Sequence, residues 1–276
     1  PAKEPFPPLS HQQVTQTLAR PSREKVMSEI KLFNKDCVEI MRDMPEQSVD
    51  LVVTDPPYGI SYVSNMRKNS FGEMSSDNIT NVIWLGYLAR IVKSTGAVYC
   101  FSRWDVLGTW KHLFEFFGFS VKNCIVWDKE RGGMGDLEGS YSPSHEMIIF
   151  AVRGRHLLNG KRTRDVIRCG KVSKLLHPTQ KPPELLAEFI RNSSQEGDMI
   201  FDPFMGVGST GKACKLTNRN FTGIEIEKKY YEIALQELSG LTPHAADAGD
   251  SPAQQAFFTP ETLSTPQGES TPTLRR

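Results

Sequence analysis

Between residues 29 and 240 the chain alternates short apolar, β-branched runs with stretches whose apolar positions recur at helical spacing. The runs Ile30–Lys35, Val49–Thr54, Ala97–Phe101, Val121–Trp127, Glu146–Val152, Met199–Phe201 and Phe221–Ile226 predict seven strands. Helices are predicted near 37–43, 81–93, 106–117, 183–193, 209–218 and 228–238, and in the second Val82, Leu85, Leu88 and Val92 share one face. Several runs carry almost no polar residue, as strands covered on both faces do. Such alternation predicts an α/β fold with a doubly wound, mostly parallel sheet. Ligands of such sheets lie beyond the carboxyl ends of the strands, so the polar residues just after each strand are where chemistry is sought.

The ends of the chain break this pattern. Residues 1–28 hold five prolines and little periodicity, and a flexible arm is expected there. Residues 241–276 hold five more among Ser, Thr, Gln and Ala, too little apolar surface to offset ordering, and a disordered tail is expected. That leaves one folded domain over 29–240. No apolar run approaches the ~20 residues of a membrane span, so no membrane partner is expected. The five cysteines (37, 100, 124, 169 and 214) are scattered without a CxxC pair, which predicts reduced thiols in a cytoplasmic protein and no metal site.

Three motifs follow strands. Asp55-Pro56-Pro57-Tyr58 comes directly after the apolar run 49–54. Two prolines fix φ and remove two backbone donors, which holds a carboxylate, a free carbonyl and a ring rigidly at a strand end. That set suits a planar ligand bearing an amino group; the bland alternative is a strand-terminating turn with a solvated Asp. Asp202-Pro203-Phe204-Met205-Gly206-Val207-Gly208-Ser209-Thr210 joins a strand to a helix whose N-terminus favours an anion. A structural turn explains a lone GxG equally well. The next strand, however, ends near Glu225, at the usual position of a ribose-hydroxyl acceptor, although this residue could also just open the next helix. A nucleoside cofactor without pyrophosphate fits, S-adenosylmethionine among them. His177-Pro178-Thr179-Gln180-Lys181-Pro182 by itself reads as a helix entry, and Asp36 as a helix N-cap.

DPPY at 55–58, HPTQKP at 177–182 and DPFMGVGST at 202–210 occur together in that order. By them the chain resembles the DNA amino-methyltransferases, which methylate adenine N6 or cytosine N4. More narrowly it is similar to their β group, in which the target-amine motif precedes the cofactor motif. The resemblance spans about 30–240 and implies a Rossmann-like class I methyltransferase fold with permuted motif order. It implies S-adenosylmethionine as cofactor and a flipped-out base of double-stranded DNA as substrate. Asp55, Pro56, Pro57 and Tyr58 would then hold the target amine. Asp36, Cys37, His177, Thr179 and Lys181 would lie with the cofactor, as would Asp202, Pro203, Phe204, Gly206, Gly208, Ser209, Thr210 and Glu225. Asp rather than Ser opening DPPY tilts the resemblance to adenine, with cytosine N4 as the alternative. One departure is Asn34-Lys35, where a glycine is common. From another class, a DNA-binding module without catalysis is disfavoured by the intact Asp55, Tyr58 and glycine loop. The resemblance leaves room for a homodimer and a cognate restriction endonuclease, and for a nucleoid-associated place in a prokaryotic or phage-infected cell.

Charge sharpens the DNA expectation. The whole chain has 33 Lys+Arg against 32 Asp+Glu, near neutrality that argues against a nucleic-acid partner if taken alone. Yet Arg153, Arg155, Lys161, Arg162, Arg164, Arg168, Lys171 and Lys174 stand against Asp165 alone within 153–176. This short insert is the expected target-recognition region, its bland alternative being a solvated face. Elsewhere 25 basic side chains face 31 acidic ones.

Overall fold

Period-two alternation inside the apolar runs decides how the layers form. Along β2 (Val49–Thr54), Leu51 and Val53 point to one face of the sheet and Val52 to the other, and a register shift between Val49 and Leu51 puts Val49 on the side of Val52. The computed structural model describes residues 28–57, 82–133, 138–160, 162–172, 176–177 and 180–239. Its other strands are β1 (Ile30–Phe33), β3 (Val92–Ser102), β4 (Ser120–Asp128), β5 (His145–Val152), β6 (Val166–Arg168), β7 (Met199–Asp202) and β8 (Asn220–Ile224). Helices are α1 (Cys37–Asp43), α2 (Ile83–Ile91), α3 (Leu107–Phe116), α4 (Pro183–Ser193), α5 (Ser209–Thr217) and α6 (Lys228–Ser239). The arm over 1–27, the tail over 241–276 and the loop holding Tyr58 lie outside the described residues.

The strands form one sheet in the order β1-β8-β7-β2-β3-β5-β4-β6. β5 alone runs antiparallel to its neighbours, and every other pairing is parallel. Leu51 and Val53 pack with Leu185, Phe189 and Ile190 of α4 and Leu238 of α6, while Val49 and Val52 pack with Met41 of α1, Leu85 and Leu88 of α2 and Phe114 of α3. Each such side chain, fully buried, stabilises by about 1.5–3 kcal/mol relative to exposure. Both faces are therefore covered, which explains the nearly continuous apolar strands.

Two expectations change. The sheet has eight strands, not seven: β6 comes from within the basic insert, and of its three residues only Val166 and Ile167 are apolar. Trp127 helps hold it, donating its indole N–H to the carbonyl of Cys169 at 2.7 Å. Helix α2 ends at Ile91, and Val92 opens β3 with a φ of −73° and ψ of 131°, so strand follows helix without a loop. The chain enters the sheet at one edge, moves to β2 and works outwards, then returns to β7 on β2's other side. The switch point thus falls between β2 and β7, at their carboxyl ends.

Candidate active site

Two Asp-Pro turns stand side by side at that switch point. β2 ends in Asp55-Pro56-Pro57 and β7 in Asp202-Pro203, the strands pairing through Leu51 with Ile200 and Val52 with Phe201. Asp202 is 3% exposed, and its carboxylate accepts from Thr54 Oγ1 at 2.8 Å, Thr210 Oγ1 at 2.7 Å and the Phe204 amide at 3.1 Å. Burial pushes its carboxyl up to about 6 against these three donors. Asp202 and Thr210 thus tie β2, β7 and α5 together. The Phe204 ring turns to the opposite face and packs edge-on against Trp84, centroids 5.3 Å apart.

The glycine turn connects this strand end to the next. Gly206 and Gly208 have φ of 52° and 81°, a left-handed backbone natural to glycine. A Cβ on Gly208 would also meet Leu238 Cδ1 at 3.0 Å and Ala234 at 3.2 Å. The Glu225 carboxylate, just past β8, accepts from the amides of Gly206 at 3.0 Å and Glu227 at 2.8 Å. Burial raises it to about 7. Ser209 opens α5, and its buried hydroxyl has no partner among the described residues. Asp36 caps α1, accepting from the Val38 amide at 2.7 Å, and the buried Cys37 thiol is pushed up to about 12. Asn34 is the residue whose part the sequence did not show. Its amide donates to the carbonyls of Glu225 at 2.8 Å and Ile226 at 3.1 Å, bridging the ends of β1 and β8 where a glycine was expected.

A nucleoside bearing an amino-acid tail fits this side of the switch point. Glu225 offers a carboxylate for ribose hydroxyls, and the α5 N-terminus offers backbone amides and the orphaned Ser209 hydroxyl for a carboxylate.

On the other side the geometry departs from expectation. Lys181, grouped by sequence with the cofactor residues, places its ammonium 2.5 Å from Asp55 Oδ2 and 3.1 Å from Glu146 Oε2. Burial would lower the ammonium, and the two carboxylates outweigh it and raise it. Glu146 also meets Lys129 at 2.6 Å; burial would raise its carboxyl, and Lys181 and Lys129 hold it below the usual range. A lone carboxylate at the start of an otherwise apolar strand was the only sequence signal for Glu146. The His177 ring lies edge-on to Tyr230 of α6, centroids 4.2 Å apart, and burial, with Lys181 and Lys229 nearby, lowers it to about 4. It is neutral at physiological pH. Thr179 lies outside the described residues. Among the described residues no group of three or more His, Cys, Asp or Glu could hold a metal.

The basic insert does not form one surface. Arg153 donates its amide to the Gly96 carbonyl at 2.9 Å, the His156 ring meets the Thr95 carbonyl at 2.8 Å, and Asn159 bonds the last turn of α4. These partners mark the amino ends of the strands. Cys100 pairs with Thr54, so Gly96 stands roughly 15 Å from the catalytic edge at ~3.3 Å per residue. Arg153 and Arg155 sit at that far end. β6 then carries the chain back: Arg168, 77% exposed at its side chain, pairs with Asp128 at 3.3 Å on the catalytic edge, with Lys171 just beyond. Arg162 and Arg164 lie between the two ends, exposed; Lys161 and Lys174 lie outside the described residues.

Two Asp-Pro turns and a glycine turn meeting at the switch point of a doubly wound sheet make this a class I methyltransferase fold. The sequence model of the N6/N4 DNA methylase family matches residues 49–168 and 158–236, and the chain belongs to that family. It is 30% identical over 240 residues to the type II methyltransferase M.HpaI of Haemophilus parainfluenzae, covering 75% of this chain and 74% of that one. To M.HinfI of Haemophilus influenzae it is 27% identical over 251 residues, covering 78% and 70%. The crystal structure of the M1.HpyAVI–SAM complex superposes with a TM-score of 0.62 at 28% identity, over 76% of this chain and all of that one. The cytosine-N4-specific PvuII methyltransferase shares the fold, with a TM-score of 0.61 at 14% identity over 84% and 92%. The chain is an S-adenosylmethionine-dependent DNA methyltransferase.

Proposed function

We propose that the protein methylates the exocyclic N6 of adenine in double-stranded DNA, and that its motif order places it in the β group. The observation that carries this reading is the Asp55-Pro56-Pro57 turn on the target side of the switch point. The Asp55 carboxylate and the Pro56 carbonyl accept the two amino protons of a base, which favours a pyramidal nitrogen and exposes its lone pair. S-adenosylmethionine supplies an electrophilic methyl group on a sulfonium. Glu225, the Gly206–Ser209 backbone and the Ser209 hydroxyl hold the cofactor's ribose and carboxylate, with Asp36 on the adenine side. In-line positioning then supplies much of the acceleration. A base inside a duplex is out of reach, so it is flipped out, with Tyr58 as its stacking partner. Arg168 and Lys171 at the catalytic edge contact phosphates; Arg153 and Arg155 serve DNA only if the duplex reaches the far end of the sheet.

The type II methyltransferases among the relatives support a place in a restriction–modification system, with a cognate endonuclease and a cytoplasmic, nucleoid-associated location. Transfer of labelled methyl groups to DNA, followed by nucleoside analysis, tests the reading. N6-methyladenine is the expected product. N4-methylcytosine would overturn the choice of base, and absence of transfer would leave a DNA-binding module.

A further inference from the structure

Four charges form a chain across the catalytic edge. Lys129 at the end of β4 meets Glu146 at the start of β5 at 2.6 Å, and Glu146 meets Lys181 at 3.1 Å. Lys181, just before α4, meets Asp55 after β2 at 2.5 Å. The Lys181 side chain is 9% exposed, and its ammonium sits 4.9 Å from the centre of the Phe101 ring. Buried ion pairs rarely stabilise a fold more than apolar side chains of equal volume would. Alternating charges drawn from four separate elements and enclosed beside the target turn therefore call for a reason in the chemistry.

The reason lies in what Asp55 must do. Its carboxylate offers about four acceptor positions, so it can take an ammonium and a base amine together. The ammonium fixes Oδ2 in place and compensates its charge. It also makes the carboxylate a weak base. During transfer the amine nitrogen forms the new N–C bond, the electron pair of the S–C bond stays on sulfur, and the surplus proton goes to water rather than to Asp55.

We propose that Lys181 and Glu146 are positioning residues for methyl transfer: Lys181 orients and charge-compensates Asp55, and Glu146, held in turn by Lys129, anchors Lys181. The inference rests on the reading of Asp55 as amine acceptor. Other groups share this field. Asp202 on β7 and Cys100 on β3 are both raised chiefly by burial and further by the Asp55 charge, and His177 is lowered by burial and by Lys181.

Two substitutions pull the field in opposite directions. Lys181→Met removes the positive neighbour, so Asp55 titrates at higher pH than in the wild type. Glu146→Gln removes a negative one, so Asp55 titrates lower. Carboxyl 13C NMR of the cofactor-free protein reads both shifts, with Asp55→Asn assigning the signal. In turnover, kcat falls about 100-fold in Lys181→Met and about 10-fold in Glu146→Gln, while the Kd for S-adenosylmethionine stays within about twofold. A residue that only supports the fold would lower cofactor affinity and rate together, whereas a positioning residue lowers kcat at an unchanged cofactor Kd. If cofactor affinity fell in step with the rate and the Asp55 titration stayed put, Lys181 would be a cofactor contact and the inference would be wrong. Should Lys181→Met fail to fold, the fall of kcat in Glu146→Gln at an unchanged cofactor Kd, or its absence, decides alone. A wild type that transfers no methyl group to DNA sinks the functional reading and this inference with it; an active wild type beside unshifted variants sinks this inference alone.

Discussion

Asp55-Pro56 and Asp202-Pro203 share a dipeptide, end neighbouring parallel strands, and differ in what meets their carboxylates. Asp202 is enclosed by two hydroxyls and a backbone amide, neutral donors that leave it raised to about 6 by its burial. Asp55 is half-buried at the rim and meets an ammonium. The first arrangement locks three elements of the fold. The second keeps a charge compensated at a surface where a ligand arrives. A shared motif thus serves structure or chemistry according to the partner that tertiary contacts supply, and its own residues do not distinguish the two.

Substitution at each turn should separate the roles. Asp55→Ala removes the proposed amine acceptor, and methyl transfer should drop by about 10³-fold with the cofactor Kd within about twofold, read by label transfer and cofactor titration. Wild-type turnover in that variant would end the distinction between the turns. Asp202→Ala should act on stability instead, because it takes the acceptor from two buried hydroxyls and the part-buried Phe204 amide. A loss of about 3 kcal/mol is expected, which for a domain of roughly 200 residues lowers Tm by about 6–12 °C. The melt should fall further than that of Asp55→Ala, since Lys181 keeps Glu146 when Asp55 is gone.

A smaller effect tests whether Asp202 works through its hydroxyl partners. Thr54→Val and Thr210→Val should each cost about 1 kcal/mol in the wild type, and clearly less in an Asp202→Ala background. Strict additivity would mean that the two hydroxyls act elsewhere.

The smallest effect concerns pH. Glu225 is raised from 4.5 to about 7 in the folded state, so the folded chain binds its proton more tightly than the unfolded chain does. Its contribution to stability is present below about pH 4.5 and is lost as pH rises towards 7. Glu225→Gln cannot titrate, so its Tm should decline less over that window than the wild type's. Parallel curves for the two proteins would show that Glu225 is not the titrating group.

Much of the architecture is legible along the chain. The nearly continuous apolar run Val49–Thr54 announced a strand buried on both faces, and most helices fall where apolar spacing puts them. β6 escaped because two apolar residues between Asp165 and Arg168 carry too little periodicity to register. The Val92 boundary escaped because a β-branched residue on an apolar helix face serves equally well as the first residue of a buried strand. At the site, the DPP turn and the DPFMGVGST motif follow β2 and β7, and HPTQKP falls just before α4. The partner of Lys181 was not legible, because Asp55 is 126 residues away and Glu146 sits on a strand that reads as core. Nor was the division of the basic insert, since a run of like charges carries no sign of where the chain reverses between the two ends of a sheet.

Side-chain chemistry along the chain sets which faces are apolar and which residue types follow the strands. Those properties are local, set by side-chain chemistry and a repeat of two or 3.6 residues. Tertiary structure decided the rest: which Asp-Pro turn received hydroxyls and which an ammonium, and which arginines share an edge with the catalytic turn. These are matters of strand order and long-range approach. The free energy of a charge depends on the neighbours that folding brings within a few ångströms of it, and near-identical turns on adjacent strands came to hold their carboxylates in opposite ways.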